Sequence, residues 1–325
     1  MRKGNGVDSR LLGGDDGSTR MTKAVRALAL TLLSIAVCVA LASAFGGLSA
    51  AQLARLQTPA TWPALALSVV AYTAGLTVSM YSWRALICDT GPGLTGRQTA
   101  RLYFVGMISK LIPGRLWGVV AHIRMGKPLG VSPERAVAAY SISIIVTISA
   151  GFAAGALLIP GALHLPTLLS FLPLILCGLF VLRPQWVNRL VTVALRLSRR
   201  PQVTPASTAA VRRSLALAVV SWLAMGLHLW AIAVLLGADP APSLLPCVSG
   251  FALASALGSL TFVLPDGLGA REVVLIAPLT AVMPLAAAST AVVVSRLVCL
   301  VSEVLSTAVV VLVARPDAPR APAAP

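Results

Sequence analysis

Seven ionisable side chains stand inside stretches that are otherwise apolar. Lys110 and Arg115 flank Pro113-Gly114. Asp266, Arg271 and Glu272 follow Pro265. Arg296 and Glu303 lie seven residues apart near the end of the chain. A charge in a membrane interior is costly, and it is retained where it pairs or where it handles a polar cargo. Seven residues are two helical turns, which places Arg296 and Glu303 on roughly one helix face. Arginine offers a planar fork suited to phosphate. A carboxylate beside it either balances that charge or accepts a cationic group. One bland account is pairing alone, for example Arg296 with Glu272.

The prolines matter as much as the charges. Gly106-Met107-Ile108-Ser109-Lys110-Leu111-Ile112-Pro113-Gly114-Arg115-Leu116 aligns without gaps on Gly258-Ser259-Leu260-Thr261-Phe262-Val263-Leu264-Pro265-Asp266-Gly267-Leu268. In each copy Gly leads Pro by seven, a hydroxyl residue precedes Pro by four, and Leu follows it by three. Breaking a helix in lipid frees backbone polar groups, so a break is tolerated only where protein buries it or a cavity hydrates it. Matching breaks in two halves of a chain point to a transport site. The half-helix that starts after Pro265-Asp266-Gly267-Leu268-Gly269 presents free N–H groups and a positive dipole end, and such a terminus binds phosphate or carboxylate. Arg271 in its first turn adds a full charge; Gly114 and Arg115 supply the same elements in the first copy. Simpler readings stand beside these. Arg115 can snorkel to an interface, and Asp266-Gly267 can be an ordinary turn.

These breaks are set in a chain of 325 residues that is 57% hydrophobic and 11% charged, with a mean hydropathy of +0.88. A soluble domain of this size needs far more surface charge. The sequence therefore describes an all-α integral membrane protein. The net charge of +16 lies in loops between apolar runs rather than on one face, which fits the positive-inside bias and not nucleic-acid binding. Five cysteines and three histidines show no metal or disulfide spacing, so no metal and no cofactor is implied. There is no Walker motif, dinucleotide-binding glycine pattern or GxSxG. No catalytic residue is assigned.

Residues 1–22 read as a disordered cytoplasmic N-terminus, 23–313 as one polytopic membrane domain, and 314–325 as a disordered tail. The expected spans are Ala24–Leu48 (an uncleaved first helix rather than a signal peptide), Trp62–Trp83, Ala136–Ile159, Leu163–Leu182, Ser214–Gly237 and Leu285–Val313. Arg101–Val120 and Pro246–Met283 are the broken segments, with Pro278 and Pro284 expected to kink or end the second half-helix. The basic loop 183–213 carries seven arginines and no acid, with a surface-lying helix expected over Trp186–Leu197.

With the N-terminus inside and each broken segment entering and leaving on one side, 23 of the 26 Lys and Arg fall on the cytoplasmic side. The expectation is thus about six full transmembrane helices plus two re-entrant broken helices in an inverted-repeat arrangement. Both termini are cytoplasmic and the chain is multi-pass in the plasma membrane.

At these residues the sequence resembles the flippase-like membrane region of lysylphosphatidylglycerol synthases (multiple peptide resistance factors). Pro113-Gly114-Arg115-Leu116-Trp117-Gly118, with Arg124 downstream, matches one family motif. Pro265-Asp266-Gly267-Leu268-Gly269-Ala270-Arg271-Glu272 matches the more specific second motif, and Arg296 corresponds to a later arginine. Trp117 replaces a usual small residue and Asp266 a usual glycine. The soluble aminoacyl-transferring domain of the synthases is absent from the sequence. The resemblance implies re-entrant helices and translocation of a lipid with an anionic or phosphate-bearing headgroup. The substrate-binding candidates are Pro113, Gly114, Arg115, Pro265, Gly267, Gly269, Arg271, Glu272, Arg296 and Glu303. Two alternatives stay open: an integral-membrane enzyme using Glu272 or Asp266 as base, and a membrane partner of a lipid or glycan biosynthetic enzyme. A homodimer is also compatible with the sequence.

Overall fold

The computed structural model describes residues 57, 59, 61–89, 91–108, 116–156, 175, 178, 183, 185–197, 205–260 and 269–313. Among them every regular element is helical: α1 Thr61–Ile87, α2 Gly96–Ile108, α3 Leu116–Gly126, a 3₁₀ turn Lys127–Leu129, α4 Pro133–Gly155, α5 Gln185–Leu197, α6 Thr208–Leu235, α7 Pro240–Leu260, α8 Ala270–Thr280 and α9 Leu285–Val313. Five of these, α1, α4, α6, α7 and α9, are long and apolar enough to cross a membrane. Large apolar side chains such as Trp62, Val70, Val273 and Leu312 face outward, the pattern of a bundle whose solvent is lipid rather than water.

Local chemistry starts the helices where it should. Ser132 caps α4 by accepting the Arg135 N–H, with Pro133 at the first helical position. Ser207 caps α6 by accepting from Ala210 N–H at 3.1 Å. Each satisfies one of the orphan donors of a helix start.

The centre of the fold is the α1–α6 pair, and its register can be read from three rungs. The Ser68 hydroxyl donates to the His228 carbonyl at 3.1 Å, Ser221 to the Gly75 carbonyl at 3.0 Å, and Ser82 to the Ser214 carbonyl at 2.7 Å. Partners shift by seven residues in opposite directions, so the helices run antiparallel with a heptad-spaced seam of small residues. That spacing suits a slightly supercoiled pair. Small side chains let backbones approach in an apolar solvent that gives no hydrophobic drive to helix association. At Gly75 an added Cβ would stand 2.9 Å from the Met225 nitrogen. α7 packs antiparallel on α4 by the same device, with Gly151 facing Ala256 and Gly155 facing Leu253.

The short helices fold back on their neighbours. Gly106 of α2 meets His122 of α3, and Leu102 meets Gly126. Both pairs are symmetric about position 114, which makes α2 and α3 an antiparallel hairpin with residues 109–115 as its connection. At about 1.5 Å per residue, α2 and α3 are too short to cross the roughly 30 Å core of a bilayer. The second hairpin, α7–α8, is different. The sequence starts its broken segment at Pro246, but α7 begins at Pro240, carries Pro246 within it and reaches 21 residues. The second pair therefore has one arm of spanning length and one of 11 residues. Pro278 likewise lies inside α8 without ending it, while Pro284 directly precedes α9. The expected spans Ala24–Leu48 and Leu163–Leu182 lie outside the described residues, or nearly so.

The charges sort as the loops suggest. Arg84 donates to the Leu94 carbonyl, Arg135 to the Ile87 carbonyl, and Asp89 holds Ser207. These links gather Arg84, Arg97, Arg124, Lys127, Arg135, Arg212 and Arg213 at one end of the bundle. The opposite end, around Ala238–Pro240 and the α8–α9 connection, has no Lys or Arg among the described residues.

Candidate functional site

The site lies where α8 begins, against the middle of α9. Gly269 opens α8 with φ +86°, a left-handed conformation that glycine adopts without a Cβ penalty. Its N–H donates to Glu272 Oε2 at 2.7 Å, the return half of a capping box. The other oxygen, Oε1, pairs with Arg296 of α9. Glu272 thus ties the tip of α8 to α9 through both of its oxygens. The Arg296–Glu272 pairing expected on charge grounds is present.

Arg271, one residue earlier, points to a different place. It is 8% exposed. Its Nη2 donates to the Cys299 Sγ at 3.4 Å, and Cζ stands 4.7 Å from the centroid of the Phe251 ring on α7. Cys299 is the midpoint of α9, so the guanidinium is held half-way along a membrane-length helix. A cation over an aromatic face is attracted by the ring quadrupole, more strongly where water is excluded. Glu303, one turn beyond Cys299, is 2% exposed and accepts from the Tyr72 hydroxyl of α1 at 2.8 Å. Residues 296, 299 and 303 share one face of α9, as helical spacing requires.

A shell of polar and aromatic groups fixes these charges. Tyr72, His228 and Phe251 pack ring against ring, with centroids 4.6 to 6.2 Å apart and steep interplanar angles. His228 Nδ1 lies on the Met225 carbonyl, which can only accept, so that nitrogen carries the hydrogen. Nε2 then accepts from Ser295 Oγ at 2.8 Å. The histidine is both packed and hydrogen-bonded.

Of the residues singled out from the sequence, the structure brings Gly269, Arg271, Glu272, Arg296 and Glu303 together around one stretch of α9. Pro113, Gly114, Arg115, Pro265 and Gly267, together with Lys110 and Asp266, lie outside the described residues. The first hairpin nevertheless reaches the same helix: Thr307 Oγ1 of α9 donates to the Phe104 carbonyl of α2 at 3.4 Å, eight residues beyond Cys299. None of Tyr72, Phe251, His228, Ser295 and Cys299 was singled out from the sequence as a site residue. Cys299 had a signal, since it falls between Arg296 and Glu303 on their shared face. Tyr72 had a weaker one, a hydroxyl in the middle of an apolar span.

Residues 26–306 match the family model for the lysylphosphatidylglycerol synthase TM region. That covers most of the chain, which therefore belongs to this family. Membership places it among multi-pass membrane proteins with a membrane-lipid-related role. No curated protein matches it.

Proposed function

We propose that the protein is a lipid translocase that moves a lipid with a phosphate-bearing headgroup between leaflets. The observation that supports this most is Arg271, a buried guanidinium in the first turn of a short helix, held half-way along α9 by Phe251 and Cys299. A phosphate arriving there meets the fork of an arginine and the positive end of α8 together. Glu272 and Arg296 set the position of the tip rather than receive the cargo, because both Glu272 oxygens are engaged. Glu303, with Tyr72 donating to it, stands one turn away as the group that balances the arginine or accepts a cationic headgroup. Both short-armed hairpins act as re-entrant elements, the first from the basic, cytoplasmic end and the second from the opposite end. Without a nucleotide site, movement is downhill or ion-coupled.

The test is transport of fluorescent phospholipid in proteoliposomes, read by leaflet-selective quenching. Arg271→Ala should lose transport, Arg271→Lys should keep part of it, and Glu303→Gln should shift headgroup preference. Equal rates for wild type and Arg271→Ala across anionic and aminoacylated phospholipids would sink the mechanism.

One observation favours an enzyme instead. Ser295 Oγ on His228 Nε2, with Nδ1 oriented by a backbone carbonyl, has the form of a nucleophile and its base. Glu272, engaged twice, is poorly placed as the base. Mass spectrometry of lipids from cells lacking the protein separates the readings: new or missing lipid species support an enzyme, and unchanged species with altered leaflet distribution support a translocase.

A further inference from the structure

At the basic end of the α1–α6 seam, beyond the Ser82–Ser214 rung, residues of both helices line an open cavity of about 340 Å³. Its walls include Tyr81, Arg84, Cys88, Asp89, Ser207 and Arg213. This volume falls in the range of small-molecule sites, and it is remote in the chain and in the bundle from Arg271.

Its charges are unequal in what they are free to do. Among the described residues of the wall Asp89 is the one acid, and both its oxygens are taken: Oδ2 accepts the Ser207 N–H at 2.6 Å and Oδ1 the Ser207 hydroxyl at 2.7 Å. It serves to cap the start of α6. Arg84 is anchored at one corner, with Nη2 donating to the Leu94 carbonyl at 2.9 Å, while its buried Nε–H has no partner among the described residues. Arg213 is exposed. Arg212 lies beside it in sequence, and Arg135 from α4 is within electrostatic reach of Asp89. Two arginines of the wall, Arg84 and Arg213, stand against one carboxylate that is already engaged, so the described wall carries net positive charge. Tyr81, 43% exposed on a membrane-length helix two turns from its end, marks the depth at which amphipathic rings sit at a membrane–water boundary.

We infer that this cavity binds a phosphate group at the basic face of the membrane, separately from the α8–α9 site. Arg84 and Arg213 hold the phosphate by charge-assisted hydrogen bonds, Arg84 with the Nε–H that has no partner among the described residues, and Tyr81 lies along whatever the phosphate is attached to. That ligand is either an anionic phospholipid of the adjoining leaflet or a soluble phosphate ester.

The full chain, with Tyr81 replaced by photoreactive azidophenylalanine, is reconstituted in vesicles containing tritiated phosphatidylglycerol or, in parallel, tritiated diacylglycerol. Phosphatidylglycerol should be captured and diacylglycerol should not. The pair Arg84→Gln with Arg213→Gln should lower capture about tenfold, as expected for losing charge-assisted contacts, and Arg213→Lys should retain most of it. Should the double variant fail to fold, Arg213→Glu alone, on an exposed side chain, should still lower capture about threefold. Soluble glycerol 3-phosphate that displaces the lipid identifies a site for free phosphate esters; failure to displace it identifies a lipid site. Arg271→Ala should leave capture unchanged, which separates this site from the translocation mechanism. Equal capture of the two lipids, undiminished capture in the arginine variants, or loss of capture in Arg271→Ala would each overturn the inference.

Discussion

The two hairpins carry similar strings of residues and are held together by different chemistry. In the first, α2 and α3 are joined by an uncharged contact. His122 lies directly on Gly106, its Nδ1 bonded to the Gly118 carbonyl at 2.6 Å, among the rings of Trp83 and Tyr140. In the second, the tip is set by ions: Arg271 on Phe251, and Glu272 shared between Gly269 and Arg296. Extending the gapless alignment through the break puts Val119 and Val120 opposite Arg271 and Glu272, and Val274 opposite His122. The likeness between the two strings thus does not extend to the groups beside them. Two hairpins with similar sequences at their turns can be held differently, one by a packed wedge and the other by a charged tip.

Experiments can break this contrast from its strong end downward. Arg271→Ala should reduce phospholipid transport by about 100-fold, the scale of a lost buried guanidinium–phosphate contact of ~2–3 kcal/mol, while Val119→Ala at the matching place stays within about twofold. Comparable losses at both positions in the proteoliposome assay would erase the distinction. Next comes Gly106→Ala, whose methyl group runs into the His122 imidazole and should destabilise the fold by about 2 kcal/mol. Thermal unfolding in detergent should show the loss, and adding His122→Ala should recover part of it. If the double variant is worse than the sum, Gly106 is not a seat for the ring.

Removing Glu272 as Ala strands the Gly269 N–H and takes a carboxylate from Arg296, the Arg296 and Glu272 side chains being 16% and 25% exposed. A cost of about 1–2 kcal/mol follows, and Arg296→Ala in that background should add little. Full additivity in the cycle would mean that the two do not act together. Smallest is Tyr72→Phe, which deletes one hydrogen bond to Glu303 at about 1 kcal/mol without changing the ring packing on His228 and Phe251. An unfolding temperature equal to wild type would show that this bond contributes nothing net.

Much of the scaffold was legible in the sequence. The span read as Leu285–Val313 is α9 residue for residue, and Trp62–Trp83, Ala136–Ile159 and Ser214–Gly237 fall within a few residues of α1, α4 and α6. Apolar runs report length directly, so this much follows from lipid thickness alone. The extent of α7 did not follow, because Pro246 reads as a boundary although its missing N–H is tolerated inside the helix. In the candidate site the charged residues announced themselves by the cost of burying them. Their neutral neighbours did not. Phe251 and Cys299 are ordinary in an apolar helix until packing sets them against Arg271, and hydropathy carries no information about which face meets which partner. The seam of α1 and α6 was in plain view as Ser68, Gly75, Ser82 and Ser214, Ser221, His228, each seven apart, but a polar heptad is hard to see against a background searched for apolar ones.

That seam also has a mechanical consequence. Three hydrogen bonds at equal intervals would all be lost if α1 slid along α6 by a single turn, and no intermediate register offers replacements. α1 and α6 are therefore the stator of the molecule. Under the proposed translocation, the part free to move is the one that leans on this pair through side chains, α9, with the short helix α8 that it holds by Glu272 and Arg296.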